Sequence, residues 1–163
     1  MNFEQLMPYD ENGIKEMSKM ATAIVREHFD PIIGKEQNDY MIQKFQAADA
    51  IKEQLEHGCQ YYFASDERRR IGFLAFYPRE NAMYLSKLYL YKEERGKGYS
   101  RQMLDFVIRN ARNIGLTSIE LNVNRNNSAI YAYEKLGFKV IRAEKNDIGA
   151  GFFMDDCVYC LQI

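Results

Sequence analysis

Residues 88–104 read LYLYKEERGKGYSRQML, and this stretch decides how the rest of the sequence is interpreted. It begins as the end of a strand, passes through a loop rich in charge and glycine, and continues as an amphipathic helix that Gly115 ends. The apolar face of that helix comprises Met103, Leu104, Val107, Ile108 and Ala111. A strand that leads through a glycine loop into a helix is typical of an anion site, because the helix N-terminus carries partial positive charge.

The loop itself reads Arg95-Gly96-Lys97-Gly98-Tyr99-Ser100. Its two glycines let the backbone approach a ligand closely, and the basic residues Lys92, Arg95, Lys97 and Arg101 make the local charge positive. The Rossmann fingerprint needs a third glycine where Arg101 stands, and residues 34–36 offer only a fragment of a nucleotide-triphosphate loop. The pattern R-x-x-G-x-[G/A] fits better, with serine at its last position. We therefore predict a pyrophosphate site, the alternative being a solvated basic face offset by Glu93 and Glu94.

Length and charge limit the classes of protein that the chain can represent. The sequence has 163 residues and a net charge of -1, and no repeat or linker divides it, so we expect one domain over residues 1–163. The balanced charge argues against binding to nucleic acid or to a membrane surface. The N-terminal residues show no targeting leader, which predicts a cytoplasmic location.

Hydrophobic periodicity predicts the remaining elements. A helix is expected over about residues 12–28 with a break at Asp30-Pro31, followed by two shorter helices and a meander of strands over residues 61–65, 71–77 and 82–91. After the long helix we expect a strand over 118–124, a short helix over 127–136 and strands over 138–143 and 154–163, with a loop over 144–151. This order predicts an α/β (α+β) fold with a mixed, mostly antiparallel sheet of about six to seven strands, flanked by helices on both faces.

A second motif follows the strand after the long helix. Residues 126–138 read NNSAIYAYEKLGF, which satisfies every specified position of the pattern N-x-x-A-I-x-x-Y-E-K-x-G-F. With both motifs in this order, the chain resembles the GCN5-related N-acetyltransferase (GNAT) superfamily, firmly over about residues 61–138. The resemblance implies the GNAT fold and transfer of an acetyl group from acetyl-CoA to an amine, with no metal.

The resemblance also implies roles for individual residues. The backbone of Leu88, Tyr89 and Leu90 would bond the pantetheine arm, and Asn126 would bond the cofactor near that arm. The pyrophosphate would be held by Arg95, Gly96, Lys97, Gly98, Tyr99 and Ser100. Tyr133 would donate a proton to the CoA thiolate. The alternative for Tyr133 is a core aromatic, because Ala129, Ile130, Tyr133 and Leu136 form a helical stripe.

The general base stays open. Family members that use a carboxylate often carry it early in the strand before the loop, and that stretch reads Tyr84-Leu85-Ser86-Lys87. The remaining candidates are Glu120, His28, Asp155 and Asp156. Cys157 and Cys160 form a C-x-x-C pair in a predicted strand, where their separation favours packed thiols on opposite faces over a metal site.

The acceptor is predicted to be a primary amine of a small molecule, for example a polyamine. The resemblance implies that residues 28–45 form one wall of the acceptor site. The alternatives are a non-catalytic acyl-CoA-binding regulatory module, which the missing carboxylate motivates, and an acetyltransferase of protein lysines or N-termini. The apolar ending CVYCLQI is compatible with a homodimer through C-terminal strands, as in many relatives, if that strand lies at a sheet edge.

Overall fold

The computed structural model describes all 163 residues, Met1–Ile163. Its elements in chain order are β1 (Asn2–Leu6), α1 (Glu11–Ile33), α2 (Lys35–Phe45), α3 (Ala48–Glu56), β2 (Gln60–Asp66), β3 (Arg69–Arg79), β4 (Ala82–Leu90), α4 (Tyr99–Asn113), β5 (Ser118–Asn124), α5 (Ala129–Lys135), β6 (Lys139–Gly149) and β7 (Phe152–Gln162). A short 3₁₀ turn at Lys92–Glu94 stands between β4 and α4. None of the helices combines the length and apolar character needed to cross a bilayer.

The strands form one seven-stranded sheet in the order β1-β2-β3-β4-β5-β7-β6. Antiparallel registers join β1 to β2, β2 to β3, β5 to β7 and β6 to β7, whereas β4 and β5 are parallel. A parallel pair needs a crossover connection, and α4 is the helix of that connection. The predicted α/β fold with a mixed, mostly antiparallel sheet is confirmed.

The chain divides into two compact units. The first contains Met1–Tyr77 and Lys87–Leu104, and the second contains Pro78–Ser86 and Asp105–Ile163. Both β4 and α4 contribute residues to each unit.

In the first unit, α1 buries one face of its length. The helix begins at Asp10, whose carboxylate accepts a hydrogen bond from the Gly13 amide at 2.9 Å, and ends at Gly34, whose φ of 87° glycine adopts readily. Its buried side chains pack in one cluster with those of α3, β2 and β3. That cluster includes Ile14, Met17, Ala21, Ile24, Ile51, Leu55, Tyr61, Phe63 and Phe73.

In the second unit, β5 alternates as the sequence predicts, with Ile119, Leu121 and Val123 buried. It pairs with β7 from Ser118↔Gln162 to Asn124↔Asp156, and β7 pairs with β6 on its other side. The C-terminal strand is therefore interior to the sheet. The edge strand on which the homodimer argument depended is absent at this position, because both sides of β7 already have backbone partners.

Four local predictions are wrong, each for a physical reason. β1 was not predicted, because Leu6 is its only buried residue and no alternation marks it. Pro31 lies inside α1, near enough to the end that the helix loses little by continuing to Ile33. Pro78 lies within β3, so the following turn begins only at Glu80. Residues 144–149 look like a loop because nearly all are polar, yet they extend β6 through backbone pairing with β7.

Candidate active site

The end of β4 lies in the first unit and is fixed by aromatic packing. The Tyr89 ring lies 6.1 Å from the Phe29 ring and 5.5 Å from the Phe73 ring, measured between centroids. Both contacts are within the range of favourable aromatic pairs. Just beyond the strand, the Tyr91 amide donates to the Ile71 carbonyl at 3.0 Å, which keeps the chain against β3.

The parallel ladder between β4 and β5 is short. Its register covers Met83↔Ile119 and Tyr84↔Glu120. Residues 88–90 therefore lie beyond this ladder, and their peptide groups can bond an extended ligand as a further strand would.

The glycine loop between β4 and α4 has the backbone that its sequence predicts. Gly96 and Gly98 have φ values of 75° and 84°, in the left-handed region that favours glycine. A Cβ atom added to either one would meet nothing within 4 Å, so the space outside both residues is open. The 15-residue helix α4 begins directly afterwards at Tyr99, and its first turn leaves amides without intrahelical partners.

The buried residue Glu94 anchors this loop through ion pairs. Only 1% of Glu94 is exposed, and its carboxylate forms ion pairs with Arg69 and with Lys97, the latter at 3.1 Å. A second contact joins the loop to the β2–β3 turn, since the Tyr99 hydroxyl donates to Asp66 Oδ2 at 2.5 Å. Glu94, one of the two acids named in the alternative of a solvated basic face, is thus buried and offsets part of the charge of the loop through Lys97.

The basic side chains of the loop differ in their surroundings. Lys97 is partly neutralised by Glu94, and the Arg95 guanidinium donates to the Leu90 carbonyl at 3.3 Å. Lys92 and Arg101 are exposed. The loop therefore keeps positive charge at its surface while its shape is set by buried contacts.

In the second unit, two asparagines shape the turn between β5 and α5. The Asn124 side chain accepts from the Asn126 amide at 2.9 Å, and the Asn127 side chain accepts from the Ala129 amide at 2.9 Å. Asn127 is buried, whereas Asn126 is exposed. The side chain of Asn126 is accordingly presented outward by a turn that its neighbours fix.

Tyr133 lies on α5, a helix with no buried residue. The Tyr133 side chain is half-buried and meets the Phe138 ring edge-on, with centroids 5.6 Å apart. Burial raises the pKa of its phenol to about 12. The stripe of Ala129, Ile130, Tyr133 and Leu136 is partly covered at all four positions.

Comparison with known proteins gives the chain its family. Residues 29–154, well over half of the 163, match the family described as "Acetyltransferase (GNAT) domain". The chain belongs to the GNAT acetyltransferase family. The resemblance to the GNAT superfamily that the two sequence motifs indicated is confirmed.

Several relatives of this GNAT chain are known. It is 34% identical over 80 residues to GCN5-related N-acetyltransferase 6, chloroplastic, of Arabidopsis thaliana, covering 48% of the chain and 26% of that protein. The chain thus spans about a quarter of this relative's length. The PaiA N-acetyltransferase of Thermoplasma acidophilum, solved with coenzyme A, superposes with a TM-score of 0.75 at 20% identity over 100% of both chains. An aminoglycoside 6'-acetyltransferase type Ii gives 0.65 at 15% identity, over 99% and 97%.

The first unit of this GNAT chain fits coenzyme A on three observations. The space outside Gly96 and Gly98 is open, the α4 N-terminus follows at once, and residues 88–90 lie beyond the β4–β5 ladder. The open space and the helix N-terminus suit the diphosphate of coenzyme A. The strand end at residues 88–90 suits its extended, amide-bearing pantetheine arm. The predicted cofactor residues 88–90 and 95–100 lie together in this unit, and Asn126 and Tyr133 lie in the other.

The four candidates for the general base have different surroundings. Glu120 lies 3.8 Å from Arg142, and Asp155 pairs with Arg125 at 3.1 Å. His28 packs edge-on against Phe29 in the first unit. Each of these three has a neighbour that accounts for its position without catalysis.

Asp156 differs from the other candidates. Only 2% of Asp156 is exposed, and its carboxylate accepts a hydrogen bond from Asn122 Nδ2 at 3.3 Å. Burial raises the pKa of the Asp156 carboxyl, and the nearby Glu144 and Asp155 carboxylates raise it further. The same Asn122 accepts from the Tyr84 hydroxyl at 2.9 Å, so Asp156 belongs to a connected polar group in the second unit.

Sequence reasoning missed the contacts that hold the loop and β4. The Glu94–Arg69 pair joins residues far apart in sequence, so no local pattern announces it. In the sequence, Lys87 shows only that the strand lacks an acid at this position. In the structure it is buried, with 7% of its surface exposed, and burial lowers its pKa to about 7. A lysine inside an otherwise apolar alternation was the available signal.

Proposed function

We propose that this chain transfers an acetyl group from acetyl-CoA to a primary amine of a small molecule by direct attack in a ternary complex. The observation that carries the proposal is the open glycine loop between β4 and α4, with Gly96 and Gly98 in left-handed conformations before a helix N-terminus. Membership of the GNAT family supports the reaction class.

Different residues would bind different parts of acetyl-CoA. The peptide groups of Leu88, Tyr89 and Leu90 would bond the pantetheine arm, and the amides of residues 95–100 would hold the diphosphate. Exposed cations beside the loop add charge attraction. Asn126, presented outward by its turn, would bond the cofactor near the arm.

Acetyl-CoA supplies the activated acyl group when bound. As the carbon–sulfur bond breaks, the Tyr133 hydroxyl gives its proton to the leaving sulfur, which is general-acid work worth about 10²–10⁴ in rate. With a pKa of about 12 the phenol is protonated throughout the neutral range, so its proton is present when the sulfur leaves. The resulting tyrosinate regains a proton from solvent before the next turnover.

The attacking amine must lose a proton, and Asp156 is our candidate to accept it. A buried carboxyl with a raised pKa is a stronger base than an exposed aspartate. The proton would pass from the amine to Asp156, directly or through one water, while the nitrogen forms its bond to the acyl carbon.

The acceptor is proposed to be a cationic small molecule, in the manner of a polyamine. In the second unit Glu144 and Asp155 are ion-paired with Arg142 and Arg125, which leaves Asp156 as the carboxyl without an ion pair that would attract a protonated amine. The structural likeness to an aminoglycoside 6'-acetyltransferase is consistent with a small polycationic acceptor.

The test is a CoA-release assay with acetyl-CoA across a panel of spermidine, an aminoglycoside, a lysine peptide and a peptide with an N-terminal alanine. Tyr133→Phe should lower kcat by about 10²–10⁴ with spermidine or the aminoglycoside. Its dissociation constant for CoA, measured by calorimetry, should stay within about twofold, because the phenol acts on the leaving group and not on cofactor binding.

Tyr131→Phe is the matched control, since Tyr131 lies on the same helix and is 69% exposed. It should retain the wild-type kcat. Tight CoA binding without turnover of any amine would favour the non-catalytic binding module instead, and turnover of the peptides alone would favour a protein acetyltransferase. Absence of CoA affinity in folded protein would remove the proposal altogether.

A further inference from the structure

Lys87 is a buried cation in the strand that leads to the glycine loop. Its ammonium group donates to the Phe45 carbonyl at 2.7 Å, to Gln46 Oε1 at 2.9 Å and to the Tyr61 hydroxyl at 2.5 Å. All three partners are uncharged. An ammonium has three N–H donors, so these three acceptors satisfy it completely.

Two of these partners are linked through Gln54. The Tyr61 hydroxyl donates to Gln54 Oε1 at 2.5 Å, and Gln54 Nε2 donates to the Phe45 carbonyl at 3.1 Å. Lys87, Phe45, Gln54 and Tyr61 thus close a ring of hydrogen bonds, and Gln46 is bound to the ring through Lys87; we call these five residues the Lys87 network. It joins β4 to β2, to α3 and to the connection between α2 and α3.

The α2–α3 connection takes part of its hydrogen bonding from this network. Gln46 is 6% exposed, and its own carbonyl accepts from the Ser18 hydroxyl of α1 at 2.7 Å. The Phe45 carbonyl, at the last residue of α2, receives both Lys87 and Gln54. Loss of the lysine would take the donor from the buried Gln46 Oε1 and one of the two donors from the Phe45 carbonyl, so the connection would have to shift to restore these bonds.

We expect the network to fix geometry more than to add stability. A buried ammonium loses its hydration, and an apolar side chain of similar length would be buried at lower cost. Leu88, the next residue along the strand, begins the stretch proposed to bond pantetheine. A side chain that spans from this strand to the α2–α3 connection therefore couples the cofactor strand to the segment over residues 28–45.

We propose that Lys87 is a positioning residue, which fixes the α2–α3 connection against the cofactor strand and so sets one wall of the amine site. The inference rests on the proposed function, in which β4 carries acetyl-CoA, and on the implication of the GNAT resemblance that residues 28–45 line the acceptor. Lys87 does not touch the reacting atoms in this account. It acts through the backbone of Phe45 and the side chain of Gln46.

The protonation state of Lys87 should matter to this wall. Burial lowers the pKa of Lys87 to about 7, and the titratable groups near it are Cys59 and Tyr61, with Tyr89 beside Tyr61. A neutral amine has two N–H donors and one lone pair, so Lys87 can keep Tyr61 only by accepting from its hydroxyl, which breaks the bond from Tyr61 to Gln54. In either arrangement one hydrogen bond of the network is lost as the pH rises through neutrality. The acceptor KM should therefore rise with pH over this range by a component that belongs to Lys87.

Lys87→Met tests the inference, with Lys52→Met as the matched control because Lys52 is an exposed lysine of α3. We expect Lys87→Met to raise the KM for spermidine or the aminoglycoside by about 5- to 150-fold, the range of ordinary coupling between sites. The dissociation constant for CoA should change far less. The pH-dependent component of the acceptor KM should disappear in Lys87→Met and persist in Lys52→Met.

Hydrogen–deuterium exchange supplies a readout that needs no acceptor. In wild type, CoA should slow exchange in peptides covering residues 40–48, and this protection should be lost in Lys87→Met but kept in Lys52→Met. If Lys87→Met does not fold, Tyr61→Phe opens the ring while keeping the buried aromatic, and the same comparisons apply to it.

The possible failures are distinguishable. A merely structural lysine would lower the melting temperature of Lys87→Met while leaving the acceptor KM, its pH component and the exchange of residues 40–48 as in wild type, and this result would overturn the inference. CoA affinity with normal turnover but unchanged KM would also overturn it and leave the proposed function intact. Absence of CoA affinity in wild type would instead overturn the proposed function.

Discussion

Burial shifts the pKa values of Tyr133, Asp156 and Lys87 in the direction that favours the uncharged form of each side chain. Tyr133 and Asp156 are neutral when protonated, so their pKa values rise, to about 12 for Tyr133. Lys87 is neutral when deprotonated, so its pKa falls to about 7. The common cause is that a low-dielectric surrounding penalises charge. The same physical effect, acting at three separate positions, thus yields a phenol that keeps its proton, a carboxyl with increased basicity and an amine that titrates near neutrality.

Asp156→Asn should separate activity from stability. The folded protein holds the Asp156 proton more tightly than the unfolded chain does, so the free energy of unfolding falls as the pH rises from about 4 through the raised pKa. Asparagine removes this loss and keeps an acceptor for Asn122. We therefore expect the variant to be at least as stable as wild type at pH 7 in urea titrations, with kcat lower by about 10²–10⁴.

Asp155→Asn is the comparison for that prediction, because Asp155 is adjacent in sequence but pairs with Arg125 at 3.1 Å. Its kcat should stay near that of wild type. Equal loss of activity in both variants would point to general acidity of the segment rather than to a base, and full activity in Asp156→Asn would exclude Asp156.

At the scale of elements, β3 and β4 approach each other closely where the cofactor strand ends. A Cβ atom on Gly72 of β3 would collide with the carbonyl oxygen of Tyr89 and press on Leu90. A buried glycine in a strand marks such an approach of two backbones. The position of the Tyr89 peptide, proposed to bond pantetheine, thus depends on the absence of a side chain on the neighbouring strand.

Gly72→Ala should therefore destabilise the protein by about 1–3 kcal/mol and also weaken CoA binding. The first effect comes from overpacking and the second from displacement of the Tyr89 backbone. Urea titration and calorimetry measure the two. Gly115→Ala is the control, because Gly115 has a φ of 81° but open space around it; it should cost about 1–2 kcal/mol of backbone strain with CoA affinity unchanged.

At the scale of the whole molecule, the net charge of -1 gives no long-range field for an anionic ligand. Attraction for a diphosphate has to come from the loop between β4 and α4, where exposed cations and helix amides are concentrated. Binding there stabilises the folded chain by mass action, since the unfolded chain has no such loop.

Coenzyme A at a hundredfold excess over its dissociation constant should stabilise the protein by about 2.7 kcal/mol, which corresponds to a rise in melting temperature of roughly 5–10 °C. Pantetheine, which lacks the diphosphate, should give a much smaller shift at the same concentration. Equal shifts with the two ligands in a thermal scan would mean that the loop does not hold the diphosphate.

Some predictions for the whole protein stay predictions. These are the single domain over residues 1–163, the cytoplasmic location and the homodimer. The last has lost its physical ground in this fold, because β7 is flanked by β5 and β6.

The sequence by itself determined the family and the order of most elements, and it predicted the site residues Arg95 to Ser100, Asn126 and Tyr133. It could do so because periodicity, turn glycines and motif spacing are local properties that the chain carries without its partners. Only the tertiary structure decided that Lys87 and Glu94 are buried, that Asp156 is shielded while Asp155 is paired, and that β7 is interior. Burial and pairing are set by residues distant in sequence, such as Tyr61 for Lys87 and Arg69 for Glu94, and no window along the chain contains both members.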